Sequence, residues 1–249
     1  HNVPDASILT MTEFFTAASN MAHACEIPVI ADCDTGYGDA TNVRYMVKKY
    51  ENAGIAGICI EDKTFPKQNS LLEGGNSQLL SEKDFAAKIL AANEAKQNKA
   101  FTIIARIEAL ISGIGIEQAL KRAYAYEKAG ADLILIHSKK ITPEEIFEFA
   151  DSWKGNAPLV VIPTTYYSVN VDELIEHKIK MVIYANQTLR AAHLALSKLL
   201  KQMKGANNMS QVQNQMSSMD DIFKLQEMYD VKSQEKSIEE KLRKLGYIS

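Results

Sequence analysis

Residues 28–38 read PVIADCDTGYG, a short apolar run that ends in two carboxylates, Asp32 and Asp34, and a glycine-containing turn. A parallel strand that is buried on both faces has a continuous apolar sequence, so acids at its exit are unusual unless that end of the strand carries chemistry. Five further apolar runs follow, and each ends in polar or charged residues before an amphipathic helical pattern begins. This alternation predicts a parallel sheet with right-handed crossovers.

The six predicted units indicate an α/β fold, a (β/α)8 TIM-type barrel. Strands are predicted at 28–34, 57–62, 101–106, 132–138, 159–162 and 181–184. Six units are fewer than the eight that close such a barrel, and the sequence starts with His1 rather than Met. We therefore expect that this chain lacks the first two βα units, and that residues 1–204 form an N-terminally truncated barrel domain.

A change in composition marks the end of the predicted barrel. Residues 205–218 are rich in Asn, Gln, Ser and Met, which is typical of a flexible linker. Two charged amphipathic patterns follow, at 219–229 and 237–245. Residues 205–249 are thus predicted to be a linker and a C-terminal helical segment that packs on its own barrel or is swapped with a neighbouring subunit.

Overall composition favours a small molecule as the partner. Hydrophobic residues make up 46% of the 249 residues, enough for a sizeable core, and the formal net charge is −3. Interspersed charges without a basic stripe argue against nucleic acid or an anionic membrane. The three cysteines suit free thiols in a reducing compartment, and no apolar stretch is long enough to span a bilayer. We expect a cytoplasmic protein.

Polar residues at the predicted strand ends would meet at one mouth of the barrel. They are Asp32, Asp34, Glu61, Asp62, Arg106, Glu108, His137, Ser138 and Asn186. Acids from adjacent strands suit Mg²⁺, which prefers oxygen ligands and keeps several waters, whereas Arg106 and His137 suit an anionic substrate. Any one of these residues could instead cap a helix or form a structural ion pair. For Asp62 and Glu108 this structural role is as plausible as a functional one. The combined pattern favours a functional site.

Four segments carry a resemblance to a known group of enzymes. They read DCDTGYG at 32–38, EDKTFPKQNS at 61–70, IARIEA at 104–109 and GADLILIHS at 130–138. Together they resemble the motifs of the phosphoenolpyruvate mutase/isocitrate lyase superfamily, and most closely those of its phosphoenolpyruvate mutase branch. The resemblance extends from the first residues to the C-terminal helices. It implies a Mg²⁺-dependent isomerase that interconverts phosphoenolpyruvate and phosphonopyruvate, the entry to phosphonate biosynthesis.

The resemblance also implies roles for the strand-end residues. Asp32 would bind Mg²⁺ directly, and Asp34 and Glu61 would hold water ligands of the ion. Arg106 and His137 would bind the charged groups of the substrate.

Catalytic and loop residues follow from the same resemblance. Asp5 matches the family's candidate phosphoryl acceptor. A carboxylate can hold the phosphoryl group covalently while the enolate of pyruvate stays bound in the site. Lys67, Asn69 and Ser70 would bind substrate from the loop 63–80, which would close over it. A closed loop is needed because water would otherwise hydrolyse the phosphoryl intermediate.

Several alternatives stay open within the same scaffold. Phosphonopyruvate hydrolases have a similar loop but tend to carry Thr where this chain has Asn69. Isocitrate and methylisocitrate lyases carry a catalytic Cys there, and oxaloacetate decarboxylase-type members lack the lysine, asparagine and serine of this loop, so both are disfavoured. A non-catalytic binding or scaffold protein is a further alternative. The resemblance also implies a tetramer in which neighbouring barrels exchange a C-terminal helix, so we expect a homotetramer or homodimer.

Overall fold

The computed structural model describes residues 3–75 and 77–248. Its sheet is parallel, with each strand paired to the next along the chain. The strands are β1 (Ile30–Asp32), β2 (Gly57–Glu61), β3 (Thr102–Ile107), β4 (Leu133–Ile136), β5 (Leu159–Val161) and β6 (Ile179–Val182). The predicted alternation of strand and helix is confirmed, with β1 and β6 at the two ends of the strand order. The absence of two upstream units stays a prediction.

Each strand is followed by a helix, as the sequence pattern predicted, whereas the last two helices differ in their bounds from the predicted 219–229 and 237–245. The helices are α1 (Met11–Ala24), α2 (Ala40–Asn52), α3 (Glu82–Ala95), α4 (Ile116–Lys128), α5 (Glu144–Ser152), α6 (Val171–Glu176), α7 (Gln187–Gly205), α8 (Met219–Leu225) and α9 (Met228–Lys244). Helix α3 begins where expected because Ser81 Oγ accepts a hydrogen bond of 3.1 Å from the backbone N of Asp84. None of the helices in the described ranges has the length and apolar character needed to cross a membrane.

The chain divides into two compact units, one ending at Asn186 and one beginning at Gln187. The first contains the sheet and α1 to α6, and the second contains α7, α8 and α9. The predicted division into 1–204 and 205–249 places α7 with the barrel and stays a prediction. Within the predicted flexible linker, Met209–Gln211 and Gln213–Gln215 are short 3-10 helices.

The two faces of the sheet have separate apolar cores. Ile58 and Ile60 belong to the large cluster under the helices, whereas Cys59 between them belongs to a smaller cluster with Ile104 and Leu135. The alternation follows from the two-residue period of a strand. Burial on both faces keeps the strands apolar along their length, so the charged residues are confined to the strand ends.

Candidate active site

One cavity lies at the carboxyl ends of the strands and collects most of the predicted site residues. Its volume is about 210 Å³. It is lined by Asp5, Asp32, Lys67, Asn69, Ser70, Leu71, Arg106, His137, Ile162, Thr164, Ala185 and Asn186. A larger cavity of about 450 Å³, at the amino ends of β5 and β6, contains none of the predicted site residues. The chemistry expected from the sequence therefore converges on the smaller cavity.

The loop 63–80 lies against the segment that carries Asp5. Lys67 Nζ is 2.5 Å from Asp5 Oδ1, and Asn69 Nδ2 donates to Asp5 Oδ2 at 2.8 Å. The backbone N of Asn69 also donates to the Asp5 carbonyl at 3.0 Å, and that of Lys67 to Ser7 Oγ at 3.0 Å. Both carboxylate oxygens of Asp5 thus have donors from the loop, and its position is fixed by backbone as well as side-chain contacts.

Lys67 links Asp5 to the acids at the end of β1. Its Nζ is also 3.0 Å from Asp34 Oδ1. Burial alone would lower the pKa of Lys67, but the carboxylates of Glu61, Asp34 and Asp5 outweigh it and raise that pKa above its ordinary value. Burial would raise the pKa of Asp5, but Lys67 and Asn69 outweigh it and lower that pKa. Lys67 is therefore a cation and Asp5 a carboxylate at neutral pH.

A second group of charges is centred on Glu108. Glu108 Oε1 accepts from Arg106 Nε at 2.6 Å, and Glu108 Oε2 accepts from Ser70 Oγ at 2.5 Å. Lys63 Nζ lies 3.4 Å from Glu108 Oε2 and donates to Ser70 Oγ at 2.7 Å. Burial acts to raise the pKa of Glu108, but Arg106, His137 and Lys63 together hold it well below its ordinary value. An ionised, fully buried carboxylate thus positions Arg106 at the cavity.

The contacts of His137 fix which of its nitrogens carries the proton. Nδ1 lies 2.8 Å from Glu108 Oε1 and 3.0 Å from Arg106 Nη2. An ionised carboxylate only accepts and a guanidinium only donates, so Nδ1 must donate its proton to Glu108. Burial, followed by the charge of Arg106, lowers the pKa of His137, which leaves Nε2 unprotonated in the neutral ring.

Ser70 connects the loop to this buried group. Its hydroxyl accepts from Lys63 and from Arg106 Nη2, the latter at 3.0 Å, and donates its single proton to Glu108. The side chain lines the cavity, but its donor is already used. Ser70 consequently holds the loop against Arg106 in this arrangement.

The three predicted metal residues lie at the ends of β1 and β2, and they differ in environment. Asp32 is exposed and lines the cavity, and its Oδ1 accepts from the backbone N of Asp34 at 3.0 Å. Asp34 is buried beside Lys67, and burial, reinforced by Asp32 and Asp5, raises its pKa despite that cation. Burial likewise raises the pKa of Glu61 to about 7, with Arg106 opposing and Glu108 adding to the rise.

The carboxylate of Glu61 is the group whose surroundings indicate whether a hydrated cation fits this site. Its side chain is 2% exposed, its Oε2 is 3.4 Å from Arg106 Nε, and its Oε1 is buried without a hydrogen-bond partner among the described residues. A buried carboxylate oxygen without a donor is costly. In residues 3–75 and 77–248, no three Asp, Glu, His or Cys side chains group closely enough to enclose a metal. The unpartnered oxygen of Glu61 fits a hydrated cation, because a water bound to such an ion would donate a proton to it.

Of the nine strand-end residues of the sequence prediction, five do not line the cavity: Asp34, Glu61, Asp62, Glu108 and Ser138. Asp62 is fully buried and accepts from Arg122, Tyr126 and the backbone N of Glu108, a structural role. Ser138 donates to Glu145 at the start of α5. Of the two readings that the sequence allows for Asp62, a functional residue or a structural one, its contacts support the structural one.

Sequence reasoning did not identify Lys63 and Thr164, and it left Glu108 undecided. Glu108 lies two positions after Arg106, a spacing that places both side chains on one face of an extended segment, and this was the available signal. Lys63 follows the acids of β2 directly, but nothing local shows that its ammonium group is buried. Thr164 lines the cavity without any neighbouring motif.

Comparison with known proteins gives consistent matches over most of the chain. The family model described as Phosphoenolpyruvate phosphomutase matches residues 1–204. Phosphonopyruvate hydrolase of Variovorax sp. (strain Pal2) is 43% identical over 225 residues, which are 90% of this chain and 78% of that protein.

Solved structures agree with the sequence comparison. The crystal structure of phosphoenolpyruvate phosphomutase from Streptomyces platensis subsp. rosaceus has a TM-score of 0.92 and 44% identity, covering 94% of this chain and 82% of that one. A phosphonopyruvate hydrolase in complex with oxalate and Mg²⁺ has a TM-score of 0.87 and 40% identity, covering 93% of this chain and 80% of that one. A phosphomutase and a hydrolase are thus similar to this chain to nearly the same degree.

Proposed function

The chain belongs to the phosphoenolpyruvate phosphomutase family, and from that membership we propose that it interconverts phosphoenolpyruvate and phosphonopyruvate with Mg²⁺. The observation that carries the proposal is the environment of Asp5. Its ionised carboxylate lies at the cavity between Lys67 and Asn69, both from the loop 63–80. This arrangement suits a nucleophile that receives a phosphoryl group beside a cation.

The proposed reaction uses Asp5 as a temporary acceptor. In the direction from phosphonopyruvate, a carboxylate oxygen of Asp5 forms a bond to phosphorus while the carbon–phosphorus bond breaks, and its electron pair remains as the enolate of pyruvate. The enolate oxygen then attacks the same phosphorus, and the bond to Asp5 breaks. Atoms and charge balance in both steps, and no proton is gained or lost. Lys67 offsets negative charge on the phosphoryl oxygens as they move.

Arg106 would bind the carboxylate end of the substrate. Its guanidinium is oriented by Glu108 and Ser70, so its position does not depend on the substrate. His137 lies beside it, also fixed by Glu108. Asp32 would hold Mg²⁺, with Asp34 and Glu61 accepting from its waters, and the bound ion would supply positive charge next to the enolate and carboxylate oxygens of the substrate.

Asn69 supports the mutase over the hydrolase. Hydrolysis of the phosphorylated Asp5 requires a water molecule to reach phosphorus, and an amide cannot act as a general base for that water. The Asn69 amide occupies Asp5 Oδ2 and helps to close the loop over the cavity. The 43% identity to a phosphonopyruvate hydrolase supports hydrolysis to pyruvate and phosphate as the second candidate.

Phosphorus NMR tests the proposal directly. Phosphonopyruvate is incubated with the protein and Mg²⁺, and the phosphorus signals are followed over time. Phosphoenolpyruvate as the product supports the mutase. Free phosphate with pyruvate would identify the hydrolase, and no turnover in a folded protein that still binds phosphonopyruvate would favour a non-catalytic binding protein.

The second unit suggests how subunits assemble. Helix α7 exposes Leu189, Leu194, Leu196 and Leu200, and no residue of α8 or α9 is buried. Apolar helix faces of this kind are usually covered by another surface. We therefore propose that the C-terminal helices join subunits of a homodimer or homotetramer, which sedimentation equilibrium would test. A monomer at micromolar concentration would contradict this.

A further inference from the structure

A buried lysine outside the cavity supports the loop that carries the acids of β1. Lys88 lies on α3, its residue is 8% exposed, and its Nζ donates to the carbonyl oxygen of Thr35 at 2.8 Å. Burying an ammonium group is costly unless it is paired or hydrogen-bonded. The carboxylate of Asp39, at the end of the same loop, attracts this charge. The reaction proposed above gives Lys88 no role, so its burial needs another explanation.

The loop it contacts has a strained backbone. Four of the residues 34–38 have positive φ: Asp34 at 49°, Gly36 at 90°, Tyr37 at 57° and Gly38 at 148°. Such values cost little for glycine, but Asp34 and Tyr37 carry side chains that disfavour them. Backbone in these regions persists only where the surroundings determine it strongly. This conformation sets the direction of the Asp34 carboxylate, which lies 3.0 Å from Lys67 Nζ.

In addition to the ion pair of Asp34 with Lys67, three hydrogen bonds connect backbone atoms of the loop to β2 and α3. The backbone N of Cys33 donates to the Cys59 carbonyl, and that of Glu61 donates to the Asp34 carbonyl, each at 2.8 Å. Lys88 supplies the third contact, from the helix side, at the peptide between Thr35 and Gly36. Since Thr35 is 1% exposed, water cannot readily replace the ammonium group at this carbonyl. Loss of Lys88 would leave a buried acceptor unsatisfied, and rotation of that peptide would relieve the strain.

We propose that Lys88 is a positioning residue that holds the loop 33–38 in the conformation that places the carboxylates of Asp32 and Asp34 for cation binding. The part that concerns Mg²⁺ rests on the proposed function, whereas the part that concerns the loop does not. Outer contacts that orient the groups around a metal commonly change its affinity by about 10- to 100-fold, and we expect a loss in that range when Lys88 loses its donor.

Three variants separate positioning from general stability. Lys88→Met keeps most of the side-chain volume and removes the donor, and Lys88→Arg restores a cationic donor at the same place. Ile89→Ala is the matched control, because Ile89 is the next residue of α3, is fully buried and does not carry the contact to Thr35. Each variant is titrated with Mg²⁺ by calorimetry. Hydrogen exchange at the amides of Gly36 and Glu61 is measured in the metal-free protein, together with the melting temperature.

The expected result is specific to the loop. Lys88→Met should weaken Mg²⁺ binding about 10- to 100-fold and speed exchange at Gly36 and Glu61, and Lys88→Arg should restore part of both. Ile89→Ala should lower the melting temperature without either effect. Equal exchange and affinity in Lys88→Met and wild type would overturn the proposal, and so would equal effects of Lys88→Met and Ile89→Ala. The exchange comparison needs neither metal nor substrate, so it decides the role of Lys88 whatever reaction the protein catalyses.

Discussion

Lys67 places its Nζ 2.5 Å from Oδ1 of Asp5, although 62 positions separate the two residues in the chain. The contact joins the segment before α1 to the loop after β2. Lys67 is nearly buried, whereas the side chain of Asp5 is 48% exposed. A carboxylate that remains accessible while a buried cation holds one of its oxygens can react with a substrate and keep its charge.

Asp5→Asn should abolish turnover while the fold remains. The amide keeps the size of the side chain but cannot form a bond to phosphorus, so we expect kcat to fall by at least about 10³-fold, as for other lost nucleophiles. The melting temperature should change little, because the side chain is half exposed and adds little to the core. Phosphorus NMR measures the rate. Asp172→Asn, on the exposed surface of α6, is the control and should keep full activity. Retained turnover in Asp5→Asn would remove Asp5 from the mechanism.

The sequence predicted the order of helices and strands well, because the signal for each element lies in its own residues. Strands were predicted from short continuous apolar runs, and helices from their caps and periodicity. Both signals lie within the element itself, so they can be recognised without information about distant residues. Strand ends were less accurate: β1 covers Ile30–Asp32 rather than 28–34, and β6 begins at Ile179 rather than Met181. A turn at Lys178, with φ of 59°, follows α6 directly, so β6 begins two residues before the predicted position. Such a turn at a non-glycine residue leaves no signal in the sequence.

Asn69→Thr should increase release of phosphate relative to transfer within the substrate. The shorter side chain loses the amide that donates to Asp5 Oδ2, so the cover over the phosphorylated intermediate becomes less complete and a hydroxyl is placed nearby. The ratio of phosphate to phosphoenolpyruvate in the NMR assay measures this leakage. Leu72→Thr is the matched control, because Leu72 lies in the same loop and is 58% exposed. An unchanged ratio in Asn69→Thr would contradict the proposed function of this amide.

Glu108→Gln should destabilise the protein strongly. The substitution keeps the shape of the side chain but removes the negative charge that Lys63, Arg106 and His137 share in a buried place. Breaking one partner of a buried charge pair commonly costs about 3–5 kcal/mol. Denaturation in guanidinium chloride measures the free energy of unfolding. Glu94→Gln, which removes a surface pair with Arg44, should cost less than about 1 kcal/mol. Similar losses in the two variants would show that Glu108 is not the centre of the group.

The same group shows what the sequence could not reveal. The sequence predicts that Arg106 and His137 act together, but it does not distinguish Glu108, the carboxylate that orients both, from a helix cap. Whether Glu108, Lys63 or Lys88 is buried depends on helices and loops that are distant in sequence, and local pattern carries no information about that packing. The identity of the strand-end residues was predictable, and the direction in which each side chain points was not.

His137→Asn should reduce the loss of stability at acidic pH. The pKa of His137 is lowered in the folded protein by burial and by Arg106, while Glu108 opposes and Lys63 reinforces the shift. The unfolded chain therefore takes up a proton first as the pH falls below about 6.5, and the free energy of unfolding falls by up to about 1.4 kcal/mol per pH unit until the folded-state pKa is reached. Guanidinium denaturation at pH 7.5 and 5.5 compares the two proteins. Equal changes between these pH values would show that His137 titrates normally.

Asp32→Asn should weaken Mg²⁺ binding without weakening the fold. Asp32 is exposed at the cavity, and the amide oxygen of Asn can still accept from the backbone N of Asp34, so the turn keeps its hydrogen bond. The negative charge that attracts the ion is lost, and we expect affinity to fall by more than the roughly 10- to 100-fold typical of an outer contact. Calorimetric titration with Mg²⁺ measures this.

Asp39→Asn makes the same chemical change at the other end of the same loop. Asp39 caps α2 by accepting from Thr41 and Asn42, and Asn is an equally good cap, so α2 should be unaffected. A loss of affinity confined to Asp32→Asn would show that the ion is held at one carboxylate rather than by the general negative charge of the loop. Equal losses in both variants, with unchanged hydrogen exchange at Gly36 in Asp39→Asn, would show that the charge of Asp39 acts on the ion directly and not through Lys88, and the assignment of Asp32 as the metal ligand would then be wrong.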